Sequence, residues 1–208
     1  MTRIAIIRHG QTQWNEGEGE RFRGRADLDL DKIGIEQAKL TAARICQWQM
    51  SVIYSSPLKR ASNTAKILAS PFNFQVRLLD GLIDMDYGTW QGLSLKEAAA
   101  DDSKLYALWL ESPHLVTFPR GENLEQVRIK AVAALETLLP KHPEQTIVLV
   151  SHKVVCKVLI CSILGLANSG FWQVEQDTCA ISLVEVRNGF SVITLLNDAC
   201  HLNNLDEN

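Results

Sequence analysis

Nowhere in the 208 residues is there an apolar run long enough to span a bilayer, and no leader-like segment precedes the first hydrophobic stretch. No membrane partner is expected, and a reducing cytoplasm is the expected home. Paired cysteine spacing is missing too. The five cysteines, Cys46, Cys156, Cys161, Cys179 and Cys200, are odd in number and include no CxxC pair. Four lie in or beside apolar stretches, so buried free thiols are expected rather than disulfides or zinc. His114, His142 and His201 are scattered and read as surface residues, which leaves no metal cluster and no cofactor to expect. Excess positive charge is also absent. A net charge of -3 and a pI near 6.0 argue against a nucleic-acid partner, though not against a local basic pocket. There are no repeats, low-complexity segments or linkers, so one globular domain spanning 1–208 is expected.

What is present alternates between two periods. Residues 4–7 form a short apolar run of the kind that makes a strand buried on both faces. A polar, glycine-rich loop follows over 10–31, a length that is usually functional inside a compact domain. Residues 32–48 carry a helical stripe, 51–54 a strand, and Ser56 with Pro57 at the first position opens a helix to Leu68. A third strand is expected over 75–79. Ser94 and Glu97 spell a capping box for a helix to Leu110, and a second long helix runs over 122–139. Residues 146–150 are a strand and 153–164 a helix stopped by Gly165. Two last strands, 180–186 and 191–196, join through Asn188-Gly189, a hairpin signal. The pattern predicts an α/β fold: a three-layer αβα sandwich whose mostly parallel sheet has an antiparallel edge strand, with 93–120 as a small helical cap insert.

Two strands end alike. Ile7 leads into Arg8-His9-Gly10, and Val150 leads into Ser151-His152-Lys153. Open α/β sheets bind ligands beyond the carboxyl ends of their strands, where both histidines fall. Arg60, early in the helix after the second strand, belongs to the same edge. A single histidine in a loop or arginine on a helix is ordinary. Their convergence describes an anion site with a nucleophile. No glycine-rich phosphate loop follows the first strand, which disfavours a plain nucleotide-binding module.

Arg8-His9-Gly10-Gln11-Thr12-Gln13-Trp14-Asn15 resembles the signature of the histidine phosphatase superfamily, which includes cofactor-dependent phosphoglycerate mutases. The likeness continues through Arg23-Gly24, Gln37-Ala38, Ser55-Ser56-Pro57-Leu58-Lys59-Arg60, Tyr87-Gly88-Thr89-Trp90-Gln91-Gly92 and Ser151-His152. The resemblance implies that His9 becomes a phosphohistidine. That role needs a neutral imidazole whose other nitrogen is held by a backbone carbonyl. Arg8 and Arg60 would grip the phosphoryl oxygens. His152 would donate to the same oxygens, as would Asn15, for which a turn-forming role stays open. Gln11, Gly24 and Tyr87 are carried over as substrate-binding positions. The family's proton donor sits four residues before the glycine that is Gly88 here and is usually glutamate; this chain has Asp84, with Asp86 in reserve. The tryptophans Trp14, Trp90, Trp109 and Trp172 read as core or cap packing, and Glu122 as a helix-start residue.

A hydrolase is favoured over the alternative, a mutase. The basic, tyrosine-containing insert of mutases is not found over 93–120, and no tryptophan follows Gly24. A non-catalytic module that binds phosphorylated ligands is the other alternative, and the retained His9 argues against it. Residues 111–124, 171–183 and 196–202 are similar to metal-independent phosphoserine phosphatases of bacteria, which implies a small phosphorylated metabolite as substrate, a tail that helps recognise it, and a homodimer. Tyr87 stands where those enzymes tend to carry histidine.

Overall fold

The computed structural model describes residues 1–15 and 20–205, so residues 16–19 of the expected 10–31 loop lie outside the described residues. One six-stranded sheet organises the molecule, with β1 (Thr2–Arg8), β2 (Met50–Ser55), β3 (Val76–Leu78), β4 (Thr146–Ser151), β5 (Ile181–Arg187) and β6 (Phe190–Asp198) in the order β3-β2-β4-β1-β5-β6. β1 to β4 run parallel, and β5 is antiparallel to both of its neighbours, β1 and β6. The antiparallel strand is thus one place in from the edge, in a hairpin that turns at Asn188 and Gly189, both with positive φ.

Alternate residues of the central strands face opposite helical layers. Ala5, Ile7, Val148 and Val150 pack with Ala42 and Ile45 of α1 (Lys32–Ile45) and with Ala61, Ala65 and Leu68 of α2 (Lys59–Ala69). On the other face, Ile4, Ile6, Ile147 and Leu149 pack with Leu124 and Val127 of α5 (Leu124–Leu138) and with Val155, Val158 and Leu159 of α6 (Lys153–Ile163). Strands covered on both sides are uniformly apolar, which is why no period-two pattern marks them.

Local chemistry sets most boundaries. Asp31 caps α1 by accepting from Gly34 N, and Ser94 and Glu97 make the expected capping box on α3 (Leu95–Asp101). The helix expected to reach Leu110 breaks at Asp102, whose side chain caps a new helix, α4 (Ser103–Glu111). α5 starts from an Asn123–Gln126 box rather than at Glu122. The Ser56–Pro57 start for α2 is not realised: Leu58 is the N-cap, extended and without a side-chain cap. Histidines also depart from expectation. His142 is buried, 3.0 Å from Tyr54 Oη and 2.7 Å from Gln145 Oε1. His201, half-buried in the 3-10 turn Cys200–Leu205 against α1, lies 3.0 Å from Thr41 Oγ1; only His114 is exposed. All five cysteines are free, three buried and two (Cys46 and Cys200) exposed. No helix among the described residues is long and apolar enough to cross a membrane.

One close approach fixes the loop after β1 to α1. A Cβ on Gly34 would stand 2.1 Å from Gln11 O, and one on Gly10 would stand 2.4 Å from Gly34 O. Both neighbours are backbone, so neither can rotate away. Gly34→Ala is therefore expected to destabilise the fold by ~1–3 kcal/mol, measured by urea unfolding; a wild-type midpoint would refute that reading of the contact.

Candidate active site

Register alone brings the two histidines together. Arg8 of β1 pairs with Ser151 of β4, and His9 N donates to Ser151 O at 2.9 Å, so His9 and His152 leave neighbouring strands side by side. Their ring centroids are 5.2 Å apart and both rings are buried. Arg60 reaches the same point from α2, and Asp84 from the 3-10 turns that follow β3. The five residues read from sequence as catalytic form one cluster.

Hydrogen bonds assign the proton positions. His9 Nδ1 is 2.7 Å from Gly10 O, an atom that only accepts, so Nδ1 carries the hydrogen and Nε2 keeps its lone pair. Arg60 Nε donates to His152 Nδ1 at 3.2 Å, which puts the His152 hydrogen on Nε2, where Ser56 Oγ accepts it at 2.8 Å. Burial first, and then the surrounding arginines, push both imidazoles well below the ordinary value of 6.5. Both are neutral.

Arg60 is wholly buried and multiply bonded. Nη1 donates to Ala26 O, while Nη2 donates to Gly24 O and, at 2.9 Å, to Asp84 Oδ2. Asp84 Oδ1 accepts from Met85 N. Burial raises the Asp84 carboxyl above the usual range against the pull of Arg60. Arg8 Nη1 donates to Gln176 O at 2.8 Å; burial and the charge of Arg23 pull Arg8 down to about 10, which still leaves it a cation at neutral pH. Arg23 enters the sequence reading only within the Arg23-Gly24 likeness and is given no site role there, although alternation in Arg21-Phe22-Arg23-Gly24-Arg25 was a usable signal. Arg23 is buried and its charge acts on both histidines, on Arg60 and on Asp84. Among the described residues, Arg8 Nε and Arg23 Nε are buried with no hydrogen-bond partner. Three guanidinium groups thus face one buried carboxyl, an arrangement made for an anion.

The remaining positions divide. Asn15 Oδ1 accepts from Thr12 N and Thr12 Oγ1, both at 2.8 Å, which is the turn-forming arrangement. Gln11 is fixed through its backbone, N donating to Gln37 Oε1 and O accepting from Asp31 N. Gly24 has φ +46 and lends its carbonyl to Arg60. Asp86 turns away, accepting from Gly88 N and pairing with Arg25. Ser56, expected as a helix cap, accepts from the N-cap residue Leu58 N at 3.3 Å and, more closely, from His152 Nε2 at 2.8 Å. Glu122 is likewise no simple helix-start group: it accepts from Asp86 N and pairs with Lys130.

Beside Asp84 opens a cavity of about 250 Å³. Arg23, Tyr87 and Lys153 line it together with Trp109 and Trp172, so two tryptophans read as packing residues have a face on the site. Tyr87 is held edge-on to Phe118 at 4.9 Å, and burial, with Asp84 nearby, raises its phenol. Leu95, Tyr106 and Leu110 bring α3 and α4 to the same wall. No group of three or more metal-ligating side chains occurs among the described residues.

Comparison with known proteins agrees with this geometry. A sequence profile of the histidine phosphatase superfamily (branch 1) matches residues 4–199. "Phosphoserine phosphatase 1" of Hydrogenobacter thermophilus is 36% identical over 202 residues, 97% of this chain and 95% of that protein. Bacillus stearothermophilus YhfR superposes with a TM-score of 0.92 at 25% identity, covering 97% of this chain and all of its own. A mutant phosphoserine phosphatase from Entamoeba histolytica, solved in complex with phosphoserine, gives 0.86 at 30% identity over 97% of this chain and 100% of that one.

The tautomers carry a prediction. At pH 6, 1H–15N spectra of the imidazoles are expected to show His9 neutral with its hydrogen on Nδ1 and His152 neutral with its hydrogen on Nε2. The sign of the stability effect follows: below about pH 6.5 the unfolded chain takes up protons that these two buried rings refuse, so stability falls on acidification. A doubly protonated ring at either position at pH 6 would contradict the assignment.

Proposed function

The chain belongs to the histidine phosphatase superfamily and is a phosphoric monoester hydrolase acting on a small phosphorylated metabolite; on that premise we propose that His9 is its nucleophile and Asp84 its proton donor. The observation that carries the reading is the locked His9 ring, whose Nδ1–H is spent on Gly10 O while Nε2 is left as a lone pair among arginines. In the first displacement Nε2 attacks phosphorus, the P–O ester bond breaks, and the departing alkoxide takes the Asp84 proton. In the second, water attacks the phosphohistidine, the Asp84 carboxylate accepts a proton from that water, and the P–N bond breaks. Inorganic phosphate leaves and His9 is restored.

Each neighbour then has a task. Arg8, Arg23 and Arg60 spread the charge of the transferring phosphoryl group, which asks a protein mainly for position and compensation of charge. His152 donates from Nε2, exchanging Ser56 Oγ for a phosphoryl oxygen. Asp84 is one methylene shorter than the family's usual glutamate. Its contact with Arg60 at 2.9 Å supports the view that the acid is reached by bringing the loop closer. Phosphoserine is the leading substrate on the strength of the 36% identical relative. One domain, with residues 93–120 as a cap over the leaving group, a homodimer and a cytoplasmic setting belong to the same reading. Three buried free thiols favour the last of these.

His9→Ala is expected to abolish phosphomonoesterase activity, and acid-labile phosphate should be trapped on the wild-type protein in the presence of chelator. Activity surviving in that variant would end the proposal. Asp84→Asn should slow an alkyl phosphate at least about tenfold more than p-nitrophenyl phosphate, whose leaving group departs without a proton. Equal slowing would remove Asp84 from the acid role.

A further inference from the structure

Asp84 sits on chain with no regular structure of its own. The 3-10 turns Asp80–Leu82 and Gly88–Trp90 flank it, and residues 83–87 between them belong to neither helix nor strand. The carboxyl is not free to seek the substrate by rotation, because Oδ1 accepts from Met85 N and Oδ2 from Arg60 Nη2, both at 2.9 Å. Where the backbone goes, the acid goes. An aspartate also has fewer torsions than a glutamate with which to correct a misplaced main chain. Something outside the segment must therefore fix residues 84–86.

Glu122 does so with two groups. Its N donates to Asp86 O and its Oε2 accepts from Asp86 N, both at 2.8 Å, so one residue holds both backbone groups of Asp86. The two stretches lie backbone to backbone: a Cβ on Gly121 would stand 2.5 Å from Asp86 O. The Glu122 carboxylate is braced in turn by Lys130, whose Nζ lies 3.0 Å from Oε1 and 2.9 Å from Oε2, and by Arg25 at 3.4 Å. Lys130 Nζ also stands 3.5 Å from Asp84 O, where its charge faces the carbonyl dipole of the acid itself. The Glu122 and Lys130 side chains are only 18% and 22% exposed, so their pairing is screened less than that of a surface pair. α5 mounts Lys130 firmly, since Val127 and Ala131 on the same helix are wholly buried. Neither Glu122 nor Lys130 is among the residues that line the cavity beside Asp84.

We infer that Glu122, braced by Lys130, is the positioning residue that sets the reach of the Asp84 carboxyl, and so governs leaving-group protonation without touching the substrate. The inference rests on the proposed acid role of Asp84. The nucleophile and one phosphoryl ligand are held independently, His9 by Gly10 O and Arg8 by Gln176 O, and loosening Glu122 leaves both in place. A misplaced acid slows only those esters whose alkoxide needs its proton.

The test measures kcat and KM on p-nitrophenyl phosphate and on the fastest of three alkyl esters: phosphoserine, 3-phosphoglycerate and glycerol 3-phosphate. Glu122→Ala is expected to lower kcat for the alkyl ester about fivefold more than for p-nitrophenyl phosphate, with both KM values within about twofold of wild type. Glu122→Gln keeps an acceptor for Asp86 N and should recover most of that loss. Lys130→Met removes only the brace and should show the same selectivity at about twofold or more, which decides the question if Glu122→Ala does not fold. In an Asp84→Asn background, Glu122→Ala should add less than about twofold discrimination, because no proton is left to place. Equal slowing of the two esters, or wild-type rates on both, would overturn the inference. So would a selective loss that persists undiminished in the Asp84→Asn background. Failure of the acid itself reads differently: if Asp84→Asn slows both esters alike, the acid role falls first, and this inference with it.

Discussion

The Arg60 guanidinium is a full positive charge with no exposed surface, and a charge so placed is tolerable only where its donors all find acceptors. Its acceptors come from three separate stretches of chain: the carbonyls of Gly24 and Ala26, the carboxylate of Asp84 and the ring of His152. One side chain thereby ties the loop after β1, the turn after β3 and the end of β4 to the start of α2. The site and the fold are therefore hard to separate. Taking away Arg60 would remove an anion ligand and also strand a carboxylate in a dry interior. Gly24 belongs to the same constraint, since a Cβ there would press on Met85 O and the Tyr87 ring at 3.0 Å and displace the carbonyl that Arg60 uses.

Much of the architecture was legible because its physics is local. Apolar runs announced the buried strands, and the Ser94–Glu97 box and the Asn188–Gly189 turn formed where side-chain chemistry demands them. Errors gathered where a residue's partner is remote in sequence. Ser56 looked like a helix cap because nothing nearby reveals that His152, 96 positions away, would donate to its hydroxyl. His142 looked exposed because its partners include Tyr54, 88 positions away. Glu122 looked like a dipole partner, and instead it holds the Asp86 turn and Lys130. The cysteines divided by the same logic: Cys156 and Cys161 lie on the buried face of α6, while Cys46 and Cys200 sit just outside their apolar neighbours.

The catalytic cluster was legible for another reason: four of its residues sit at strand ends or first helical turns, positions that topology alone sends to one edge. Arg23 was not, because it lies in irregular chain where no period constrains direction. Its importance emerges only once burial and charge are counted together. The tryptophans show the converse. Trp90 is pure core, wholly buried and donating to Asp101 Oδ2, whereas Trp109 and Trp172 pack against each other and still present a face to the cavity. Large rings serve both purposes at once, so composition cannot distinguish a core tryptophan from a wall tryptophan.

Asp84 occupies both the buried charge cluster and the cavity wall, so whatever fills that cavity adjoins its carboxyl directly. With no ligand in the cavity the carboxyl is already buried, and burial already raises its affinity for a proton against the pull of Arg60. On the proposed assignment, the proton affinity that a general acid needs is thus built into the folded chain and does not wait for an arriving alcohol to create it.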